Sequence, residues 1–248
     1  MKENKYDDIS FFKEYKKMPR SVNGLKSAGE WHELKKVLPS FTDKRVLDLG
    51  CGFGWHCKYA AEHGAKAVVG VDISENMLNE AKRINNSSLI EYTRKPIEDI
   101  DYQENSFDVV ISSLAFHYIK SFDYICKKVN RCLSKGGDFV FSVEHPIFTA
   151  HGNQDWCYDE EKSKLYWPVD NYFIEGIRKS NFLGKDVMKY HKTLTTYING
   201  LLINGFEITN LIEPMPDESM LLCNTKMQDE LRRPMMLIIS ARKKINSI

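Results

Sequence analysis

The sequence lacks several features that would place it in a special class of proteins. Its six cysteines form no Cys-x-x-Cys pair and no zinc-ligand spacing; they stand at positions 51, 57, 126, 132, 157 and 223. No apolar run approaches the ~18 residues of a membrane-spanning helix, and the charged start at 1–5 has no signal-peptide core. We therefore expect free thiols, no metal site, no membrane insertion and a cytoplasmic location.

An excess of either charge is also missing. The 35 basic and 34 acidic residues leave a formal net charge of +1, so the overall balance does not favour a nucleic-acid partner or an anionic membrane. The length of 248 residues suits one large domain with an insertion. The oligomeric state stays open between a monomer and a homodimer.

Residues 46–54 combine a short apolar run, a glycine turn and the start of a helix. The run Val-Leu-Asp-Leu leads into Gly50, Gly52 and Gly54, and a helical pattern begins at about Trp55. Glycine allows positive φ and close approach of a ligand to the backbone, and the N–H groups of the following helix favour a negative ligand group. A dinucleotide fingerprint needs its third glycine at position 55, so tryptophan there disfavours a dehydrogenase.

Two acidic residues complete this pattern. Asp48 precedes the glycines, and Asp72 ends the next apolar run. Together these residues resemble motifs I and II of the class I S-adenosylmethionine-dependent methyltransferases, and the chain is similar in type to the ubiquinone and menaquinone methyltransferase-like group. The resemblance implies S-adenosyl-L-methionine as cofactor, S-adenosyl-L-homocysteine as product, and in-line transfer of a methyl group to a small-molecule acceptor. Two alternatives stay open: an RNA or protein methyltransferase, and a non-catalytic S-adenosylmethionine-binding protein.

Apolar runs alternate with helical patterns along most of the chain, which is typical of a parallel α/β sheet. After the first strand, further strands are predicted at about 67–71, 89–92, 107–112, 138–143, 205–211 and 235–241. The resemblance implies a Rossmann-like, doubly wound sheet of seven strands in the order 3-2-1-4-5-7-6, with strand 7 antiparallel.

Two segments interrupt or precede this alternation. Residues 1–44 are predicted to form a helical lead-in, with a helix at about 29–38, that either covers the cofactor or packs against the sheet edge. The methyltransferase domain would then span 45–248. Within it, an aromatic insertion at about 145–192 leaves the carboxyl end of strand five, so we expect it to overhang the active site as a substrate lid.

The resemblance also implies roles at the cofactor. Asp72 would take both ribose hydroxyls, whereas Asp48 would order the glycine loop or reach the methionine ammonium through water, unless it only caps the turn. Ile73 and Met77 would pack on the adenine, although Met77 could equally be a core residue of its helix. The full set of cofactor candidates is Asp48, Gly50, Cys51, Gly52, Gly54, Asp72, Ile73, Met77, Ile97, Glu98, Ser112 and Leu114.

The third motif departs from the family pattern. Pro96 stands where relatives often have an acid that binds the adenine amino group. We expect this group to meet Glu98 instead, with the backbone of Ile97 facing the ring. Ser112 and Leu114, after strand four, would approach the methionine arm of the cofactor by their backbone.

Three histidines are candidates for a catalytic base, because histidine titrates near neutral pH. His145 follows the fifth strand and is expected to face the methyl group, and His191 lies at the far end of the insertion. Each could instead bind a backbone carbonyl and hold a loop. For His117, packing at the start of a helix is the preferred interpretation.

Overall fold

The computed structural model describes residues 4–223 and 225–245, apart from the side chains of residues 223, 225 and 226. Its α-helices are α1 (Ile9–Tyr15), α2 (Pro19–Asn23), α3 (Trp31–Val37), α4 (Trp55–Glu62), α5 (Glu75–Ile84), α6 (Phe122–Cys132), α7 (Pro146–Ala150), α8 (Leu194–Ile203) and α9 (Glu218–Cys223). Short 3-10 helices lie at Lys5–Asp7, Gly24–Ser27, Ile97–Asp99, Phe116–Tyr118 and Thr225–Arg232.

The strands are β1 (Arg45–Leu49), β2 (Ala67–Asp72), β3 (Ile90–Arg94), β4 (Phe107–Ser113), β5 (Leu133–Glu144), β6 (Cys157–Tyr158), β7 (Lys164–Tyr166), β8 (Gly176–Phe182), β9 (Lys185–His191), β10 (Phe206–Ile212) and β11 (Met236–Lys243). Within the described residues, seven of them form the central sheet, in the order β3-β2-β1-β4-β5-β11-β10. Strands β1 to β5 are parallel, whereas β11 is antiparallel to both of its neighbours. The predicted doubly wound sheet is therefore confirmed, with β11 as its seventh strand.

Successive apolar side chains of the strands pack into hydrophobic clusters on the two faces of this sheet. Leu47 and Leu49 of β1 belong to the apolar cluster that contains residues of α6 and α8. Val46 of the same strand belongs to the opposite cluster, which contains residues of α3 and α4. Successive strand side chains point to opposite faces, so the apolar runs of the sequence are buried on both sides.

Strand β5 begins earlier than predicted. The sequence predicts a turn at Gly136 and Gly137 before the strand, but the strand already starts at Leu133. Its pairing with β4 shifts after Phe107, and Gly136 has a φ of 72°. The two glycines therefore lie in a bulge within the strand, where they bend it.

The insertion contains regular structure that the sequence did not reveal. Helix α7 is followed by two antiparallel hairpins, β6–β7 and β8–β9. The β8–β9 turn consists of Leu183 and Gly184, with φ values of 53° and 74°. Turns of this kind usually carry Asn-Gly, so a leucine in the left-handed region gives no hairpin signal.

The N-terminal helices lie against the carboxyl end of the sheet. Lys16, the residue after α1, pairs with Glu80 of α5 at 3.0 Å. The helix predicted at about 29–38 is α3, which starts two residues later. Among the described residues, no helix is both long and apolar enough to cross a bilayer.

Cysteines 51, 57, 126, 132 and 157 carry free thiols. The predicted free thiol of Cys223 lies outside the described side chains.

Candidate active site

A cavity of about 470 Å³ lies at the carboxyl ends of the parallel strands. Its floor is formed by the glycine loop after β1 and by residues that follow β2, β3 and β4. Its roof comes from two segments: the N-terminal helices contribute Tyr6, Tyr15, Met18 and Arg20, and the β8–β9 hairpin contributes Asn181, Phe182 and Lys189. Small-molecule pockets measure roughly 300–1,000 Å³, so the cavity has the size of a ligand site.

The three glycines of the loop have positive φ, between 53° and 76°, but different surroundings. A side chain at Gly50 would collide with Ala115, and one at Gly54 would collide with the Tyr92 hydroxyl. At Gly52, which lines the cavity, an added Cβ would meet nothing within 4 Å. Two glycines therefore allow close packing of the loop, and the third leaves its backbone open toward the cavity.

Asp72 fixes this loop at the end of β2. Its carboxylate accepts hydrogen bonds from the N–H groups of Gly52 (2.9 Å) and Ser74 (2.8 Å). Burial raises the pKa of Asp72 to about 6, although the two N–H groups oppose the rise. Each carboxylate oxygen keeps a second lone pair that can accept a hydrogen bond from a ligand in the cavity. Ile73 and Met77 line the cavity beside it.

The residues after β3 and β4 form the opposite wall of the floor. Ile97 and Glu98, the residues predicted to contact the adenine, both line the cavity. Leu114 also lines it, with a φ of 52°, and its N–H donates to the Ser142 carbonyl at 2.9 Å. A non-glycine residue in the left-handed region is uncommon and is often found at functional sites.

Four predicted cofactor residues lie away from this cavity. The carboxylate of Asp48 accepts a hydrogen bond from the Cys57 thiol at 3.2 Å, and burial raises its pKa to about 7. The Ser112 hydroxyl donates to the Leu49 carbonyl at 2.7 Å, and Ser112 does not line the cavity. Gly54 packs against Tyr92, and Cys51 lines a smaller adjoining cavity of about 60 Å³. Asp48, Ser112 and Gly54 thus support the loop from behind.

An ion pair that the sequence analysis missed lies between the two cavities. Arg20 lines both cavities, and its Nη2 lies 3.6 Å from Oε1 of the fully buried Glu30. Ser113 donates to the same oxygen at 2.9 Å. The other oxygen, Oε2, is buried without a hydrogen-bond partner among the described residues. A guanidinium and a carboxylate oxygen without a partner can together bind an amino acid group, which carries both charges.

The structure places two of the three histidines outside the cavity. Nδ1 of His145 accepts from the Ile147 N–H at 3.1 Å, and its Nε2 lies 2.9 Å from Glu213. The ring of His191 is bound on both sides, to the Thr149 hydroxyl and the Tyr172 carbonyl, each at 2.8 Å. The predicted catalytic placement of these two residues is therefore corrected: they hold the ends of the insertion.

His117 lines the cavity and is 3% exposed. Its Nδ1 is buried and has no partner among the described residues. Burial lowers the pKa of His117 to about 3, against the opposing effect of the Glu144 charge. The imidazole is therefore neutral at ordinary pH and has one ring nitrogen that can accept a proton.

A second polar group in the cavity was also missed. Glu144, Gln154 and Lys189 line it together, although they lie on β5, on the loop after α7 and on β9. The sequence did not indicate that these three residues form one group, because the hairpin that brings Lys189 to Glu144 was not predicted. Arg20 could have been found, since it lies in the lead-in of residues 1–44 that was considered as a cover for the cofactor. Among the described residues, no group of three or more His, Cys, Asp or Glu side chains could hold a metal ion.

Comparisons with known proteins agree with this geometry. The sequence family described as "Methyltransferase domain" matches residues 47–141. A Listeria monocytogenes structure assigned to the S-adenosylmethionine-dependent methyltransferases is 62% identical, with a TM-score of 0.81, and the match covers 87% of this chain and 98% of that one. A second such methyltransferase, from Mesorhizobium loti, is 41% identical with a TM-score of 0.82, covering 89% and 100% of the two chains. A Haemophilus influenzae protein with no assigned activity is 35% identical over 245 residues, 96% of each chain.

Proposed function

This chain belongs to the class I S-adenosylmethionine-dependent methyltransferases, and we propose that it methylates a small molecule enclosed in the described cavity. The acceptor is the open question within this family. Methyltransferases similar to parts of this chain act, by their names, on fatty acids and on tRNA. The choice between them therefore has to rest on the site itself.

The residues around the floor of the cavity fit the cofactor. S-adenosyl-L-methionine supplies a methyl group on a positively charged sulfur, which a nucleophile can displace. Asp72 would accept the ribose hydroxyls, and Ile73, Met77 and Ile97 would contact the adenine. Arg20 and the second oxygen of Glu30 would hold the carboxylate and ammonium of the methionine end. This assignment accounts for an otherwise unsatisfied buried oxygen, which is costly without a partner.

One observation carries the small-molecule proposal: the two halves of the roof meet above the cavity. The rings of Phe11, from the N-terminal helices, and Phe182, from the hairpin, lie 5.8 Å apart in an edge-to-face contact. Nearby, the Tyr6 and Tyr118 hydroxyls lie 3.1 Å apart. An acceptor must fit wholly beneath this roof, whereas an RNA or protein substrate needs an open groove. The net charge of +1 also supports an acceptor other than nucleic acid.

The first experiment is a calorimetric titration with S-adenosylmethionine, S-adenosylhomocysteine and NAD. We expect micromolar binding of the two adenosyl compounds and none of NAD. Asp72→Ala should lose tight binding while remaining folded. Absence of adenosyl binding to folded wild-type protein would refute the proposal.

The second experiment follows the methyl group. Methyl-labelled S-adenosylmethionine is incubated with bulk tRNA, with a protein extract and with a low-molecular-weight cell extract. Label should appear in the low-molecular-weight fraction alone. Label in precipitated tRNA or protein would show a macromolecular acceptor, and cofactor binding without transfer to any fraction would favour the non-catalytic alternative.

A cytoplasmic location and a monomeric or homodimeric state stay predictions. Cys51 and Cys57 keep buried free thiols, which suits a reducing compartment.

A further inference from the structure

We propose that Glu144, Lys189, Gln154 and His117 form the acceptor subsite of the cavity, and that it takes a small uncharged molecule with a hydroxyl group on an apolar body. This inference rests on the proposed function, because it assigns the acceptor for that methyl transfer. Glu144, Gln154 and Lys189 lie outside the family match at residues 47–141.

The first three residues form a closed ring of hydrogen bonds. Lys189 Nζ lies 2.6 Å from Glu144 Oε1 and 2.8 Å from Gln154 Oε1. Gln154 Nε2 donates to Glu144 Oε2 at 2.8 Å and so closes the ring. The side chain of Lys189 is only 5% exposed and that of Glu144 16%. Burying a charged pair is costly unless its geometry is good and further hydrogen bonds support it, as those of Gln154 do here.

The backbone supports a functional role for this ring. Gln154 has a φ of 50°, in the left-handed region that glycine usually occupies. This conformation lets the loop after α7 turn back toward β5 and β9. Such strain is kept where a side chain must be held in a particular place, and it is concentrated at functional sites.

The charges of the ring select against ionised acceptors. The positive and the negative group cancel, so the ring has no net charge. Glu144 would repel a buried carboxylate or phosphate, and Lys189 would repel a buried ammonium. A hydroxyl group adds no charge. It can accept from the Lys189 N–H that the ring does not use, and its single hydrogen is left to donate to His117.

Apolar side chains surround the ring. The Lys189 ammonium lies 5.6 Å from the centre of the Phe182 ring. Met236 is paired with Glu144 across β11 and β5, and both line the cavity. Phe148, one turn beyond Glu144, lines the cavity and stacks on Trp167 with centroids 4.9 Å apart. The body of the acceptor would therefore be apolar, as in most small-molecule pockets.

His117 supplies the proton acceptor that a hydroxyl requires. In the transfer, the hydroxyl oxygen forms a bond to the methyl carbon, and the electron pair of the broken carbon–sulfur bond stays on sulfur. The hydroxyl proton passes to the free Nδ1 of His117. The positive charge on sulfur disappears as an imidazolium forms near the negative Glu144, so the total charge of the buried site does not change.

The proposal is tested with three probes that share one apolar body: para-butylphenol, para-butylbenzoate and para-butylbenzylamine. Binding of each to the S-adenosylhomocysteine complex is measured by calorimetry, and methylation is measured by S-adenosylhomocysteine release from S-adenosylmethionine. We expect the phenol alone to bind and to be methylated.

Variants separate the two parts of the subsite. Glu144→Gln combined with Lys189→Met removes both charges, so neither is left buried alone, and should weaken phenol binding about tenfold or more. His117→Phe should still bind the phenol but lose about 100-fold in turnover, the range of a general base. Both should bind S-adenosylhomocysteine like the wild type. The control is Lys179→Met, which breaks an exposed ion pair with Asp186 on the same hairpin and should change neither readout.

The failures are distinguishable. Methylation of the benzoate or the amine, or binding of none of the three probes, would overturn the hydroxyl-acceptor subsite while cofactor binding leaves the methyltransferase assignment intact. Unchanged phenol binding in the folded double variant would also overturn it. Loss of cofactor binding in the wild type, or methyl transfer to macromolecules only, would refute the proposed function instead.

Discussion

Asp7 accepts a hydrogen bond of 2.6 Å from the hydroxyl of Ser74, whose backbone N–H donates to Asp72 at 2.8 Å. One residue thus connects the N-terminal segment to the carboxylate proposed to bind the ribose. Asp7 also accepts from the Asn76 N–H at 3.1 Å, so it caps the start of α5 from outside the helix. The N-terminal half of the roof is therefore held by the same turn that positions Asp72.

We expect Asp7→Ala to weaken S-adenosylhomocysteine binding about three- to tenfold, because a typical hydrogen bond contributes roughly 0.5–1.5 kcal/mol. The N-terminal segment should also be cut faster by trypsin, and saturating ligand should slow that cleavage in the wild type. Calorimetry and timed proteolysis measure the two effects. Glu14→Ala removes an exposed acid of the same segment and serves as control. Equal affinity and cleavage in Asp7→Ala would exclude the coupling.

The pair of Arg20 and Glu30 yields a prediction that depends on the ligand. Arg20→Met should weaken S-adenosylhomocysteine binding about 10- to 100-fold, since hydrogen bonds to charged groups contribute roughly 1.5–3 kcal/mol. Methylthioadenosine lacks the amino acid end, so its affinity should stay the same. Arg83→Met, which removes an exposed arginine of α5, should affect neither ligand. An equal loss for both ligands would place Arg20 elsewhere or show a general loss of structure.

The parts of the site that could be predicted are contiguous in sequence. The strand, the glycine turn and the following helix lie within residues 45–62, so the local pattern was sufficient for the loop, and Asp72 follows from the next strand. The sheet order came from the family resemblance. The ring of Glu144, Gln154 and Lys189 could not be predicted, because a hairpin with an unusual leucine turn brings its members together.

The misplacement of His145 has a geometric cause. The end of a strand gives the position of a residue along the sheet but not the face to which its side chain points. Glu144 lines the cavity, and the next residue, His145, points away; Ser113 lines it, and the preceding Ser112 points away. Neighbouring residues of an extended chain alternate between faces, so a shift of one position decides between ligand and core.

Asp48 should make stability depend on pH. Its pKa is raised by burial to about 7, from 3.8 in an unfolded chain, so folding favours the protonated form. The wild type should therefore lose stability relative to Asp48→Asn as the pH rises from about 4 to about 7, by roughly 1.4 kcal/mol per pH unit at most, and the difference should then level off.

Urea unfolding of the wild type and of Asp48→Asn from pH 4 to pH 8 measures the difference in their free energies of unfolding. Contributions from other titrating groups cancel in this difference. Asp43→Asn, at an exposed position of the preceding turn, controls for the substitution itself. A constant difference between Asp48→Asn and the wild type from pH 4 to 8 would show that the Asp48 carboxylate is not perturbed.

Asp72 should make cofactor binding depend on pH in the opposite direction. Its pKa is about 6, and only the ionised carboxylate can accept hydrogen bonds from both ribose hydroxyls. About nine-tenths of the protein carries that charge at pH 7, but about one-tenth does at pH 5. The dissociation constant of S-adenosylhomocysteine should therefore rise about tenfold between pH 7 and pH 5.

Calorimetric titrations at half-unit pH intervals measure this rise. Asp72→Asn cannot ionise, so it should bind weakly with an affinity that does not change over the same range. Equal affinity of the wild type at pH 5 and pH 7 would mean that Asp72 does not carry the ribose contact. A pH dependence that persists in Asp72→Asn would assign the titrating group to another residue, and Asp48, which is buried in the same region, would be the first to test.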